Sequence, residues 1–197
     1  MSYHDNIVAF AAGEEGNNWA VHESRILQYF TSSTGLSYTK NQALTLSWCT
    51  FFVMWVLEQA KMDPMPAVGI PPPENFAIGR FIKSLNGSTT IGNAADGPAY
   101  WGVYDAFSVK LQQYTLQAGD LFYLPNHNNH VGIVEEVTGD AKIVTLNGNS
   151  GPLKGEGFDA RLDSSGMLGG GFVYRTTRDL LDGNAMYNDA CWIQTPD

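Results

Sequence analysis

Hydrophobic positions recur at helical spacing in the first sixty residues. The clearest case begins at about Ser47, where one apolar stripe contains Cys49, Phe52, Val53, Val56 and Ala60. Thr45 and Ser47 are available as N-caps, which predicts Cys49 in the first helical turn. Two shorter apolar segments predict earlier helices, one capped near Asp5 and ending around 13–16, the other over about 24–30. The polar residues at 31–35 predict a loop, and Glu14, Glu15 and His22 are expected to be solvated.

After Gly119 the hydrophobic spacing changes to two, which is typical of strands. Short apolar runs bounded by Gly, Asn and Asp predict strands at 121–124, 131–137, 143–146 and 171–174. Residues 62–118 are rich in proline and glycine and are interpreted as an insertion with one short helix at 74–85 and loop elsewhere. Residues after about 177 are expected to form a terminal helix or a loose tail. The whole pattern predicts one α+β domain over 1–197, with N-terminal helices packed on a C-terminal antiparallel sheet.

Composition narrows the possible functions. The 197 residues carry a net charge of −9, which argues against binding to nucleic acid and against unaided adhesion to anionic membranes or wall polymers. No apolar run is long enough to span a bilayer. The first residues lack the pattern of a secretory signal, so synthesis in the cytoplasm is expected. The only two cysteines, Cys49 and Cys191, allow at most one disulfide, and one of them is available as a working thiol.

The first candidate for chemistry is a hairpin between the strands at 131–137 and 143–146. Gly139-Asp140 fits a two-residue turn with glycine first. That turn places His130 opposite Asn149 and Gly132 opposite Asn147, so that these four residues share one face of the sheet. An asparagine oxygen can accept a hydrogen bond from one imidazole nitrogen and leave the other as a base. The alternative is that these asparagines are only turn residues.

The second candidate is the thiol of Cys49. The start of a helix favours a thiolate, and its backbone N–H groups can hold an oxyanion. The alternative is an inert cysteine, because Cys49 also lies on the apolar stripe and free cysteines are often buried. Together, a helical Cys, a strand His and an Asn at a strand end follow the order of papain-like cysteine catalysis. A zinc site formed by Asp120, His127 and His130 lacks any supporting ligand spacing.

Four segments in this order resemble the CHAP family of cysteine, histidine-dependent amidohydrolases/peptidases and its NlpC-type relatives. They read WCTFFV at 48–53, GDLF at 119–122, HVGIV at 130–134 and NGNS at 147–150. The resemblance extends over about 7–174 and is poorest over 62–118. It implies a papain-like fold and hydrolysis of amide bonds in bacterial peptidoglycan stem peptides, with no cofactor and no metal.

The resemblance also implies roles for individual residues. Cys49 becomes the nucleophile, and His130 the general base and then the general acid. The third group in CHAP proteins is often a Glu 17 positions after the His, a position that Asn147 occupies here, while the family's accompanying Asn falls on Asn149. The loss of a carboxylate implies weaker electrostatic support for an imidazolium. Whether Asn147 or Asn149 orients His130 remains open, as does the role of Cys191.

The same resemblance implies a biological setting. CHAP proteins serve as wall hydrolases, phage lysins and toxins delivered into rival cells, so a delivered toxin or phage-type lysin acting at the cell wall or in the periplasm is expected. A toxin would require a cognate immunity protein as a partner. The alternatives are a cysteine acyltransferase or deamidase of the same fold, and a non-catalytic binding or structural module.

Overall fold

The computed structural model describes residues 2–44, 46, 48–62, 102–105, 115–124, 130–138, 142–150, 171–179 and 191–195. These residues contain helices α1 (Tyr3–Gly13), α2 (Glu23–Thr34), α3 (Lys40–Ala43) and α4 (Cys49–Gln59). They also contain strands β1 (Gly102–Asp105), β2 (Leu121–Leu124), β3 (His130–Thr138), β4 (Lys142–Ser150), β5 (Phe172–Asp179) and β6 (Cys191–Gln194). The predicted α+β class is confirmed. Most of the predicted insertion at 62–118, its helix at 74–85, and His127 lie outside the described residues.

The first helix begins earlier than predicted but ends at Gly13, within the predicted 13–16, and the second helix ends later than predicted. The N-cap of α1 is Ser2, and Asp5 is the third helical residue, whose side chain bonds back to the cap in a capping box. Helix α2 continues to Thr34 and ends at Gly35, which has the left-handed φ of 69°. The predicted loop at 31–35 is therefore wrong. Ser33 and Thr34 fit inside the helix because their hydroxyls donate to the carbonyls of Tyr29 and Phe30 one turn earlier.

Within the described residues, the strands form one six-stranded sheet in the order β1-β6-β2-β3-β4-β5, and every pair of neighbours is antiparallel. Strand β6 lies between β1 and β2, so the expected terminal helix or loose tail after 177 is wrong for this segment. Strand β1 also lies in a stretch that was predicted to be loop. Four-residue strands such as these acquire their hydrogen-bond partners from distant parts of the chain, which local patterns do not show.

Helix α4 contacts strands β3 and β4 and forms the centre of the core. All of its residues from Cys49 to Leu57 are buried, consistent with a helix that is apolar on every side. Its sheet partners in the hydrophobic core include Val131, Ile133 and Leu146. Within the described part of the chain, no helix combines the length and the apolar character needed to cross a membrane. Helix α4, which begins at Cys49, is therefore packed directly on the two strands β3 and β4.

Candidate active site

The β3–β4 hairpin has the predicted register at its open end, although its turn differs from the prediction. The ladder pairs Thr138 with Lys142, so three residues rather than two connect the strands, and these three lie outside the described residues. A bulge between Val134 and Glu136 then shifts the register by one. Beyond the bulge, Val134 pairs with Thr145 and Ile133 with Leu146, as the two-residue turn had predicted. The extra turn residue and the bulge cancel each other.

His130 and Asn147 are joined by a hydrogen bond across these two strands. The distance from His130 Nε2 to Asn147 Oδ1 is 2.9 Å. Gly132 lies on the same face, because a Cβ added there would come within 2.8 Å of Asn147 Oδ1 and 2.6 Å of the Phe122 ring. The Phe122 ring also lies beside the imidazole, with 6.0 Å between their centroids. The absence of a side chain at Gly132 thus leaves room for the amide that contacts His130.

The amide of Asn147 has a defined orientation. Its Nδ2 lies near four oxygens, at 3.0 Å from Thr145 Oγ1, 3.1 Å from Thr176 Oγ1, 3.2 Å from the Thr145 carbonyl and 3.3 Å from the Tyr174 carbonyl. A flipped amide would place Oδ1 against two carbonyls, which can only accept hydrogen bonds. Oδ1 therefore faces the ring, and His130 Nε2 must be the donor. In a neutral imidazole, the lone pair is then on Nδ1.

Cys49 is the first residue of α4 and carries no disulfide. The N-cap residue Trp48 makes no side-chain capping bond, and the predicted caps Thr45 and Ser47 lie outside the described residues. The first turn of a helix directs its N–H groups beyond the helix, where they favour negative charge. The thiol is nevertheless only 2% exposed. Cys49 therefore combines the predicted position at a helix start with the burial that the alternative interpretation expected.

Helix α4, which begins at Cys49, and the His130 side chain lie on different faces of the sheet. Val131 and Ile133 belong to the core that α4 fills, so the side chain of His130 and the Cα position of Gly132 face the opposite side of the sheet. On the helix side, a Cβ added at Gly148 would lie 2.5 Å from Cβ of Phe52, which shows how closely α4 approaches β4 next to Asn147. His130 is the first residue of β3 and therefore lies at the end of the strand.

Asn149 does not take the place that a regular ladder predicts. It has a φ of 57°, in the left-handed region that asparagine tolerates better than most residues. The β4–β5 register also shifts between Asn147 and Ser150. Alternation is interrupted at this point, and His130 Nε2 donates to Oδ1 of Asn147.

Two residues next to this pair were missed from the sequence. Thr145 and Thr176 are buried, and both hydroxyls contact the Asn147 amide. Thr145 could have been found, because it precedes Asn147 by two positions and so shares its face of the strand. Thr176 lies on β5, whose register with β4 no local pattern specifies.

The Gly119-Asp120 pair has a structural role. Asp120 is fully buried and accepts hydrogen bonds from the backbone N–H groups of Gln117 and Thr195. Gly119 has a φ of 90° and lies against His4, where an added Cβ would be 2.8 Å from the His4 Cα. Among the described residues, no group of three His, Cys, Asp or Glu side chains could hold a metal ion.

A family model described as "CHAP domain" matches residues 39–149, which is more than half of the chain. The matched segment begins at the N-cap of α3 and includes Cys49, His130, Asn147 and Asn149. No curated protein and no solved structure matches the chain significantly.

Proposed function

The chain belongs to the CHAP domain family, which suggests amidase or peptidase activity on peptidoglycan, and on this premise we propose that it is a cysteine-dependent hydrolase of peptidoglycan stem peptides. The observation that carries the proposal is the hydrogen bond from His130 Nε2 to Asn147 Oδ1. It leaves Nδ1 as the basic atom of a neutral imidazole, which is what activation of a thiol requires.

The reaction proceeds in two steps. The Cys49 thiol gives its proton to His130 Nδ1, and Sγ attacks the amide carbonyl carbon while N–H groups at the start of α4 hold the oxyanion. The C–N bond breaks, and Nδ1–H protonates the leaving amine. Water then loses a proton to Nδ1 and attacks the thioester, which releases the carboxylic acid and restores the thiol.

We propose a papain-like arrangement in which thiol and imidazole meet at the end of β3. This location follows from the placement of Cys49 on the helix side and of His130 on the other face at the first strand position. Residues 62–118 are proposed to be an insertion in a single domain. We further propose that this insertion shapes the substrate cleft.

The test is incubation of the purified protein with isolated sacculi, followed by mass spectrometry of the released peptides. Cys49→Ala and His130→Ala are expected to abolish the new amine termini, a loss of at least about 100-fold, since both groups act in bond cleavage. His22→Ala is the matched control for His130, because His22 is exposed. Cys191→Ala is the control for the second thiol. Full activity of either Cys49→Ala or His130→Ala would exclude this mechanism.

The burial of Cys49 favours one rival, a non-catalytic binding or structural module. That rival predicts a thiol that iodoacetamide labels at neutral pH no faster than in the unfolded chain. The proposed hydrolase predicts faster labelling in the native protein, because the imidazole and the helix start promote the thiolate. A transferase or deamidase of the same fold would appear in the mass spectra as a transferred acyl group or a mass gain of one deamidation, without peptide cleavage.

We further propose that the protein is made in the cytoplasm and delivered to the wall as a toxin or phage-type lysin, with an immunity protein as partner in the toxin case. The net charge of −9 supports delivery, because an acidic protein gains no electrostatic attraction to an anionic wall. Expression with an added periplasmic signal is expected to lyse cells, whereas cytoplasmic expression leaves growth unchanged. Equal growth in both cases, with Cys49→Ala as control, would contradict this proposal.

A further inference from the structure

We propose that Thr145 and Thr176 are positioning residues that fix the tautomer of His130 through the amide of Asn147. The effect of these threonines on the tautomer is independent of the proposed function, whereas their effect on hydrolysis rests on it. The hydroxyls are the nearest acceptors of Asn147 Nδ2, at 3.0 and 3.1 Å. Thr145 Oγ1 also donates to the Thr176 carbonyl at 3.3 Å. Because its proton is used in that bond, Thr145 Oγ1 acts as an acceptor toward the Asn147 amide.

The two threonines and Asn147 are buried from solvent. Thr145 is 1% exposed, Asn147 4% and Thr176 8%, so water does not readily replace a missing partner. Buried polar groups without partners are costly, and the network therefore resists rotation of the amide. A rotated amide would offer N–H to His130 Nε2, which favours the proton on Nδ1 and removes the base that the thiol needs.

The same surroundings make the position specific for an amide. In an Asn147→Asp variant, the second carboxylate oxygen would replace Nδ2 and lie near the carbonyls of Thr145 and Tyr174, at 3.2 and 3.3 Å. A carboxylate orients an imidazolium more strongly than an amide in general. Here that gain is opposed by two acceptors facing an anion, so Asn147→Asp is expected to lower activity rather than raise it.

The first experiment measures the tautomer directly, by long-range ¹H–¹⁵N correlation of the imidazole rings in the Cys49→Ala background. His130→Ala assigns the signal. The parent is expected to show the Nε2–H form. Thr145→Val/Thr176→Val is expected to gain a detectable Nδ1–H fraction, because only the two longer carbonyl contacts, at 3.2 and 3.3 Å, still oppose rotation of the amide. Thr145→Ser/Thr176→Ser keeps both hydroxyls and is expected to retain the parent spectrum. A valine pair with an unchanged Nε2–H spectrum would overturn the proposal; if that pair does not fold, Thr176→Val against Thr176→Ser decides by the same criterion.

The second experiment measures hydrolysis of sacculus peptides with Cys49 present. The valine pair is expected to lose on the order of tenfold in kcat with KM within about twofold, a fraction of what a positioned acid–base group contributes. The serine pair restores kcat. If the valine pair shifts the tautomer but the parent protein does not hydrolyse sacculus peptides, the positioning role of the threonines stands and the proposed function is contradicted. If the parent hydrolyses the peptides and the valine pair does so equally well, only the positioning role is contradicted.

Discussion

Glu14 is a residue whose burial and hydrogen-bond partners could not be predicted from the local sequence. It was expected to be solvated, yet it is 5% exposed. Its carboxylate accepts hydrogen bonds from Arg25, Tyr29 and Asn17, at 2.5 to 2.7 Å. The expectation was wrong because Arg25 and Tyr29 lie on the next helix, 11 and 15 residues away. The Glu14 carboxylate, which follows α1, can be buried because α2 packs beside it and supplies hydrogen-bond donors.

The Tyr29 hydroxyl gives this cluster a pH dependence. Burial and the hydrogen bond to Glu14 raise the pKa of Tyr29 well above its ordinary value of 10.0. The native state therefore keeps the phenol protonated where the unfolded chain ionises it. The stabilisation is complete below pH 10.0 and is lost progressively as the pH rises above that value. We expect the free energy of unfolding, measured in urea, to fall between pH 10 and about 11.5.

Tyr29→Phe is the matched variant for this prediction. At neutral pH it is expected to lose about 1–3 kcal/mol, because the buried Glu14 carboxylate has one donor fewer. Its stability is then expected to depend less on alkaline pH than that of the parent. Parallel pH profiles for the two proteins would show that Tyr29 does not carry the effect.

At the level of elements, the contact between α4 and β4 depends on a glycine. In Gly148→Ala, the new Cβ would lie 2.5 Å from Cβ and 2.8 Å from Cγ of Phe52. These atoms are the near part of the Phe52 side chain, so a rotamer change cannot remove the clash, and the helix must move. We expect a loss of about 1–3 kcal/mol in unfolding free energy and reduced sacculus hydrolysis, because α4 carries Cys49.

Gly13→Ala is the control for this substitution. Gly13 ends α1, and an added Cβ meets nothing within 4 Å. Its stability is expected to stay the same or rise by less than about 1 kcal/mol, because alanine restricts the unfolded chain more than glycine does. Equal effects of the two substitutions would mean that the close approach of α4 is not required.

The hairpin shows what a sequence pattern can and cannot predict about an element. The alternation of β3 and β4 correctly places His130 and Asn147 on one face, because the core admits only one register at Ile133 and Leu146. The turn was wrong by one residue, and neither the bulge after Val134 nor the one near Asn149 was predicted. Bulges depend on the twist of the assembled sheet, which has no local signature.

For the whole molecule, the N-terminal helix and the last strand are held together by one histidine. His4 Nδ1 donates to the Ala118 carbonyl at 2.8 Å, and Nε2 lies 3.0 Å from Thr195 Oγ1. Strand β6, which follows from no local pattern, thus ends against α1 and the residues before β2. The contact between His4 and Thr195 could not be predicted from the sequence, because the two residues are 191 positions apart.

His4→Leu tests whether this contact closes the fold. Leucine fills part of the buried space but leaves the Ala118 carbonyl without its donor, so we expect a loss of about 1–3 kcal/mol in unfolding free energy. The loss is expected to be local as well as global. Amide hydrogen exchange should accelerate most at Ile193 and Thr195, which depend on the docking of β6, and least at Ile133 in the centre of the sheet.

Ser2→Ala separates this contact from the stability of α1 itself. It removes the N-cap of the same helix, since the Ser2 hydroxyl accepts from the Asp5 N–H, but leaves both His4 contacts in place. Ser2→Ala is therefore expected to accelerate exchange in the first turn of α1 without affecting Thr195. If both variants accelerate exchange at Thr195 equally, β6 is held by the docking of α1 as a whole. If only His4→Leu does so, one imidazole couples the two ends of the chain, and the sheet that carries His130 and Asn147 depends on it.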